Sequence, residues 1–257
     1  TDNLDACQTQ ASIQASSPIS WNTNVHEMWT KNLPISTDSL SVFLSQIRDA
    51  RTCFLALDSS KIDQPYLEDL MRTFFVETAI LAGLRRFSEV FALFENARSL
   101  LHKNPSIPSK KGERALWLST FHQNQGFLHY LLGNLSASIE QYLRAFTTTP
   151  ESEPSRRVQF LIDIGILHQR TQDYTSARHY YQRAEQLFLE SSLSSKTHEE
   201  QRARILSVQA DLLLAKTSNT RFDVQTLARV RDLARRSLHL TEPGTERHAR
   251  TSSVLLE

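Results

Sequence analysis

Apolar residues recur at spacings of three and four along most of the chain, which is the pattern of a helix with one buried face. The first clear case covers residues 38–57, where Ser36, Thr37 or Asp38 is a suitable N-cap. Its apolar positions are Leu40, Phe43, Leu44, Ile47, Ala50, Phe54 and Leu57. No stretch shows a sustained alternation of apolar and polar residues, so the pattern predicts an all-α protein.

The composition agrees with this prediction. The chain has 257 residues, of which 40% are hydrophobic, enough for a sizeable core. It contains only 6 glycines and 8 prolines, whereas sheet proteins with many tight turns use more glycine. The scarcity of both residues favours long helices joined by few turns.

From Pro65, a residue suited to the first turn of a helix, the chain repeats a pattern of helix, short polar turn and second helix. The stretch "GNLSASIEQYLRAFTTTP", residues 133–150, shows the second half of one such unit. Its glycine permits a tight left-handed turn, and its closing proline cannot continue a helix. Between them lie small and aromatic residues at helical spacing, which suits close packing of helices.

These features resemble the tetratricopeptide repeat, which places small residues at positions 8, 20 and 27 and an aromatic residue at position 24. Units on this register span residues 71–104, 119–152, 158–191 and 203–240. The second and third units match best, through Gly126, Ser138, Tyr142 and Ala145, and through Gly165, Ala177, Tyr181 and Ala184. Successive units start 48, 39 and 45 residues apart, so they form a long-period variant of a repeat that normally has ~34 residues.

The resemblance implies an all-α, right-handed superhelical solenoid of antiparallel helix pairs over residues 37–257. We expect residues 1–36 to form a polar N-terminal segment with a short capping helix that carries Trp21 and Trp29. The last residues, "TSSVLLE", look like the opening of a further helix. We therefore expect the chain to be one region of a longer protein.

In this family the first helix of each unit lines a concave groove at positions 2, 5, 9, 12 and 13. Carried over to this chain, the predicted peptide-binding groove consists of Phe75, Thr120, Gln123, Phe127, Tyr130, Gln159, Ile162, Ile166, Gln169 and Arg170. The middle of this set is apolar and aromatic, which predicts an extended or helical peptide with apolar anchors. The alternative is that Phe127 and Ile166 belong to the core.

The motifs of common catalytic and metal sites are absent from the sequence. There is no glycine-rich phosphate loop, no G-x-S-x-G and no H-E-x-x-H. We therefore predict no catalytic residues, no cofactor and no metal.

His129 and His168 both fall at position 11, where a metal site or an inter-helix packing role is conceivable, and we favour packing. Cys7 and Cys53 are too few for a structural zinc site, and their pairing stays open.

The net charge of the chain bears on whether its partner is a nucleic acid or a membrane. Lys and Arg total 29 and Asp and Glu total 28, so the net charge of +1 gives no argument for nucleic acid. The arginines near residues 229–236 are interpreted as a solvated helix face. No apolar run approaches the length of a membrane span, so no direct membrane insertion is expected.

Together these observations predict a non-catalytic module that binds a protein or peptide. Its long repeats resemble those in the sensor regions of bacterial signalling proteins, which implies the sensor or scaffold region of a larger bacterial regulatory protein. Two alternatives remain: a receptor for a small ligand or peptide that regulates a fused effector, and an enzyme with a site in the solenoid groove. Self-association through the terminal repeat is a further possibility.

Overall fold

The computed structural model describes residues 37–55, 64–103, 112–191, 195–217 and 224–240. Within these ranges every regular element is an α-helix, which confirms the all-α prediction. The helices are α1 (Thr37–Leu55), α2 (Gln64–Gly83), α3 (Phe87–Lys103), α4 (Glu113–Leu131), α5 (Leu135–Thr148), α6 (Pro154–Arg170), α7 (Tyr174–Glu190), α8 (Ser195–Thr217) and α9 (Val224–His239). The expected N-terminal segment, with Trp21, Trp29 and Cys7, lies outside the described residues, as does the side chain of Cys53.

The chain divides into two compact units, one that ends at Asn134 and one that begins at Leu135. The first unit holds α1 to α4, and the second holds α5 to α9. The division falls inside the predicted repeat at residues 119–152. Each unit contains a cluster of buried apolar residues.

Three helix–turn–helix segments share one register. On the predicted repeat numbering, the first helix ends at position 13 in each of them, at Gly83, Leu131 and Arg170. The second helix begins at position 17 in each, at Phe87, Leu135 and Tyr174. In the fourth segment α8 ends at Thr217 and α9 begins at Val224, and most of the longer inner turn predicted there lies outside the described residues.

The turns of these three segments also have the same backbone conformation. The residue at position 15 has a left-handed backbone conformation in all three turns, with φ of 58° at Arg85, 77° at Gly133 and 61° at Gln172. The following N–H groups, of Arg86, Asn134 and Asp173, donate to carbonyls five residues earlier at 2.9, 2.8 and 2.9 Å. This hydrogen bond is that of a Schellman helix end, which satisfies otherwise unpaired carbonyls. The predicted role of Gly133 is confirmed.

The shared left-handed position leads to a prediction about stability. Gln172→Gly should raise the free energy of unfolding by about 0.5–1 kcal/mol, and Gly133→Gln should lower it by about 1–2 kcal/mol. An added Cβ at Gly133 meets nothing within 4 Å, so its effect reports backbone strain without a clash. Urea unfolding followed by circular dichroism measures both changes. Gln172→Ala is the control, since it keeps the strained conformation; an equal gain from that variant would contradict the explanation.

The small and aromatic positions of the repeat are buried, as predicted. At position 24 the buried residues are Phe94, Tyr142 and Tyr181. At positions 20 and 27 they are Val90, Ala97, Ser138, Ala145, Ala177 and Ala184. Except for Val90 these side chains are small, so they let helix axes approach within the usual packing distance of ~8–10 Å, and the aromatic ring fills the remaining space.

The core of the first unit is aromatic and joins α2, α3 and α4. The ring of Phe75 stacks on that of Phe121, with centroids 4.5 Å apart, and Phe94 meets the same ring edge-on at 5.7 Å. Offset stacking and edge-to-face contact are the two favoured arrangements of aromatic pairs. Phe121 therefore holds the first helix of the second repeat against both helices of the first.

In the first unit, α1 and α2 are joined by a buried ion pair. Glu77 of α2 has a side chain only 1% exposed, and Arg51 and Arg48 of α1 both contact its carboxylate. The Arg48 Nε atom lies 2.9 Å from Glu77 Oε1, and its Nη2 atom lies 2.8 Å from Oε2 of Glu89 on α3. The pKa of Arg48 is raised above its usual value, chiefly by its hydrogen bond to Glu77. The sequence pattern did not predict this network.

In the second unit, the ring of Phe146 of α5 is contacted by two arginines. The guanidinium of Arg157 on α6 lies 4.8 Å from the ring centroid, and that of Arg183 on α7 lies 5.0 Å from it. A cation over an aromatic face is attracted by the ring quadrupole. Phe146 itself is buried, so this contact fastens α5 to the helix pair α6–α7.

Candidate peptide-binding surfaces

In the first unit, the predicted groove residues of α4 share one face of that helix. Gln123, Phe127 and Tyr130 are four and three residues apart, and all three are half-buried. The rings of Phe127 and Tyr130 lie with centroids 6.3 Å apart and nearly parallel. Thr120, one turn earlier, donates its hydroxyl to the Leu116 carbonyl at 2.8 Å. We call Gln123, Phe127 and Tyr130 the α4 surface.

Phe127 and Phe75 differ in how deeply their side chains are buried in the core. Phe127 packs against the apolar cluster of the first unit but stays partly accessible. Phe75 is only 8% exposed, because its ring is covered by Phe121. Its burial removes Phe75 from the surface that a partner can reach, while Phe127 remains at its edge.

In the second unit, the first helices of the third and fourth predicted repeats, α6 and α8, are linked by polar contacts. Arg204 donates from Nη2 to Asp163 Oδ1 at 2.5 Å, and Gln159 donates from Nε2 to Asp163 Oδ2 at 2.9 Å. One helical turn away, Gln201 Nε2 donates to the Ser155 hydroxyl at 3.3 Å. We call this set the α6–α8 surface, and it is polar; Gln159 is the one predicted groove residue that belongs to it.

The remaining groove residues of α6 are distributed between core and surface. Ile162 is completely buried and is therefore not accessible to a partner, whereas Ile166 is half-buried. Gln169 accepts a hydrogen bond at 3.0 Å from the hydroxyl of Tyr181, which fixes its amide near the end of the helix. Arg170 is exposed at the last position of α6.

The two histidines at position 11 pack between helices, as favoured from the sequence. His129 of α4 lies 5.0 Å from the ring of Phe91 on α3. His168 of α6 stacks on Tyr180 of α7 at 5.2 Å, and its Nδ1 atom lies 3.3 Å from Asp173 Oδ2. Among the described residues, no group of three or more His, Cys, Asp or Glu side chains is arranged to hold a metal ion.

Asp173 couples this histidine to the start of α7. Its carboxylate caps the helix by accepting from the Ser176 N–H at 3.0 Å. Hydrogen bonds from Ser176, and to a smaller extent the charge of His168, hold the pKa of Asp173 below its usual value. The arrangement orders the α6–α7 turn.

The Asp163–Arg204 pair was missed by sequence reasoning, although one signal was present. Asp163 stands alone as a charge in the apolar run "FLIDIGIL", and a carboxylate in such a place needs a partner. Arg204 is 41 residues away, in a helix with many charges. The sequence shows that a partner is needed but not which arginine supplies it.

No described helix is both long and apolar enough to cross a bilayer. No protein-family model matches the chain, and no curated protein matches it in sequence. The crystal structure of BtubC (BKLC) from P. vanneervenii is similar to it, with a TM-score of 0.57 and 15% sequence identity over 85% of this chain and 80% of that one. At this identity the likeness concerns the fold alone, and it fits a helical repeat-type protein.

Proposed function

We propose that the chain is a non-catalytic protein- or peptide-binding module, built as a tetratricopeptide-like solenoid of antiparallel helix pairs. In this proposal it acts as a scaffold or sensor region of a larger regulatory protein. The observation that carries the proposal is the identical turn in three helix–turn–helix segments, with the left-handed residue at Arg85, Gly133 and Gln172. Repeated units that stack in this way form extended surfaces suited to polypeptide partners.

The α4 surface is the favoured place for an apolar anchor of the partner. Phe127 and Tyr130 offer two neighbouring, partly accessible rings, beside the half-buried Gln123. Aromatic side chains of this kind contribute most of the binding energy at many interfaces. In the second unit, the polar α6–α8 surface suits hydrogen bonding more than apolar anchoring.

The proposal is tested by selecting binders from a phage-displayed library of random 12-residue peptides and measuring their affinity by fluorescence anisotropy. Tyr130→Ala should weaken the selected peptides by about tenfold or more, the effect of losing an interface aromatic residue. Tyr130 is preferable to Phe127 for this purpose, because Phe127 also packs against the core.

The control is Leu227→Ala, which shortens an exposed side chain on α9 outside the α4 surface. This variant should bind the selected peptides as the unaltered chain does. Peptides that bind Tyr130→Ala unchanged, while its helicity by circular dichroism is also unchanged, would refute the α4 surface as the site. A library that yields no saturable binder would refute the proposed function itself.

A further inference from the structure

A cleft in the second unit lies between α7 and α9, with α8 as its floor, on residues that do not belong to the surfaces described above. Its larger part has a volume of about 450 Å³, and an adjoining part of about 330 Å³ continues it along α7. The two parts share Glu185, Leu206 and Arg236, so they form one groove. We call it the α7–α9 cleft.

The length of the cleft follows from the residues of α7 that line it. These begin at Arg178 and continue to Leu189, a distance of roughly 16 Å at 1.5 Å per residue. This is the length of about three helical turns. Volumes of several hundred Å³ are typical of sites that receive side chains or small ligands.

The charge of the cleft is positive at its two ends. Arg178 and Arg229 line one end, are exposed, and form no ion pair with any of the described residues. Arg202 lines the other end. The acidic residues of the lining are already engaged, because Glu185 accepts from Gln209 at 2.9 Å and Asp232 lies 3.5 Å from Arg236.

The floor of the cleft is apolar, which favours a peptide over a nucleic acid as its partner. Leu213 of α8 is half-buried at this floor, whereas Leu206 and Leu212 beneath it are already buried. At the Arg202 end, Leu189 has 73% of its surface exposed. A nucleic-acid backbone would meet the carboxylates of Glu185 and Asp232 and leave these leucines unused, so the lining favours a peptide with both apolar and acidic side chains.

We propose that the α7–α9 cleft binds an acidic amphipathic segment of a partner protein, about three helical turns long. Its leucine-type side chains pack against Leu213 and Leu189, and its carboxylates pair with Arg178 and Arg229. Arginine suits this role because its planar guanidinium can bind a carboxylate through two hydrogen bonds. The site is independent of the α4 surface, so either proposal can fail without the other.

The test uses a fluorescein-labelled 12-residue peptide of leucine and glutamate, with leucines alternately three and four residues apart. The whole chain should bind it saturably, and raising the salt concentration from 50 to 500 mM should weaken binding. The double variant Arg178→Glu/Arg229→Glu should lose at least tenfold in affinity. The matched control, Arg231→Glu/Arg235→Glu, reverses two exposed charges of α9 outside the cleft and should change the affinity by less than threefold.

A second pair of variants tests the apolar contact. Leu189→Ser should weaken the peptide severalfold, whereas Leu227→Ser, an exposed leucine outside the cleft, should not. Equal losses in the charge-reversal variant and its control would overturn the proposal, as would equal binding of the same peptide with lysine in place of glutamate. Tighter binding of a 12-residue oligothymidylate than of the acidic peptide would also overturn it. So would a concentration-dependent dimer, seen by analytical ultracentrifugation, that Arg178→Glu/Arg229→Glu abolishes.

Discussion

Replacing Arg48 and Arg51 together by methionine is expected to lower the free energy of unfolding by about 3–5 kcal/mol. The reason lies in Glu77, whose carboxylate is 1% exposed and is contacted by both guanidinium groups. With both arginines gone, a buried charge would lose the two partners that contact it. Urea unfolding followed by circular dichroism at 222 nm measures the loss.

Adding Glu77→Met to the same variant should restore most of that stability. A buried ion pair is costly to dehydrate, so apolar residues of similar size often replace the whole group with little loss. The triple variant is therefore expected to be more stable than the double variant, although it departs further from the natural sequence. This order distinguishes an uncompensated charge from the mere loss of arginine side-chain packing, such as the contact of Arg51 with the Phe74 ring at 5.4 Å.

Arg98→Met is the control for this experiment. It breaks an ion pair with Glu95 on the surface of α3, where both side chains are about half exposed. Pairs of this kind contribute little, so the change should stay within about 0.5 kcal/mol. A triple variant no more stable than the double would show that the buried charge is not what stabilises the α1–α2 contact.

The Glu77 network illustrates a limit of sequence reasoning. The run "FFVETAILAG" shows one carboxylate among apolar residues, which signals that a partner is needed. The partners lie 29 and 26 residues earlier, on another helix. Their identity depends on how α1 crosses α2, which no local pattern in either helix specifies.

The repeat register was more accessible to prediction, because it depends on contacts that recur in the first three repeats. Small residues such as Gly165 and Ala184 and aromatic residues such as Tyr181 recur at the positions where two helices pack closely, so their spacing is visible in the sequence. The left-handed turn at Gly133 was equally visible. The same conformation at Arg85 and Gln172 was not, since neither residue favours it.

The accessibility of the predicted groove residues was harder to predict, because it depends on contacts between helices that are distant in the sequence. Position 5 of the first helix was assigned to the groove in the first and third repeats, at Phe75 and Ile162. In the structure, Phe121 from α4 covers Phe75, and Ile162 is completely buried beside Asp163, where α8 approaches α6. The register identifies the position on the helix, whereas the neighbouring helix decides whether that position is accessible.

A second large effect is expected at Gly165, where Gly165→Ala should lower the free energy of unfolding by about 2–3 kcal/mol. A Cβ placed there would lie 2.3 Å from Cε1 and 2.6 Å from Cδ1 of Tyr181, far inside normal contact. The ring cannot easily move aside, because Tyr181 is 1% exposed and its hydroxyl donates to Gln169. Alanine is otherwise the better helix former, so intrinsic propensity alone predicts the opposite sign.

Combining Gly165→Ala with Tyr181→Leu shows whether the clash is the cause. Leucine removes the ring atoms nearest the new methyl group, so the double variant should be more stable than the sum of the two single changes predicts, by about 1 kcal/mol or more. Tyr181→Phe keeps the ring and removes only the hydrogen bond to Gln169, and it should cost about 1 kcal/mol. Additive single effects would mean that the methyl group and the ring do not meet. The small residue at position 8 would then lose its role in bringing α6 and α7 together, and the proposed stacking of helix pairs would lose its best-defined contact.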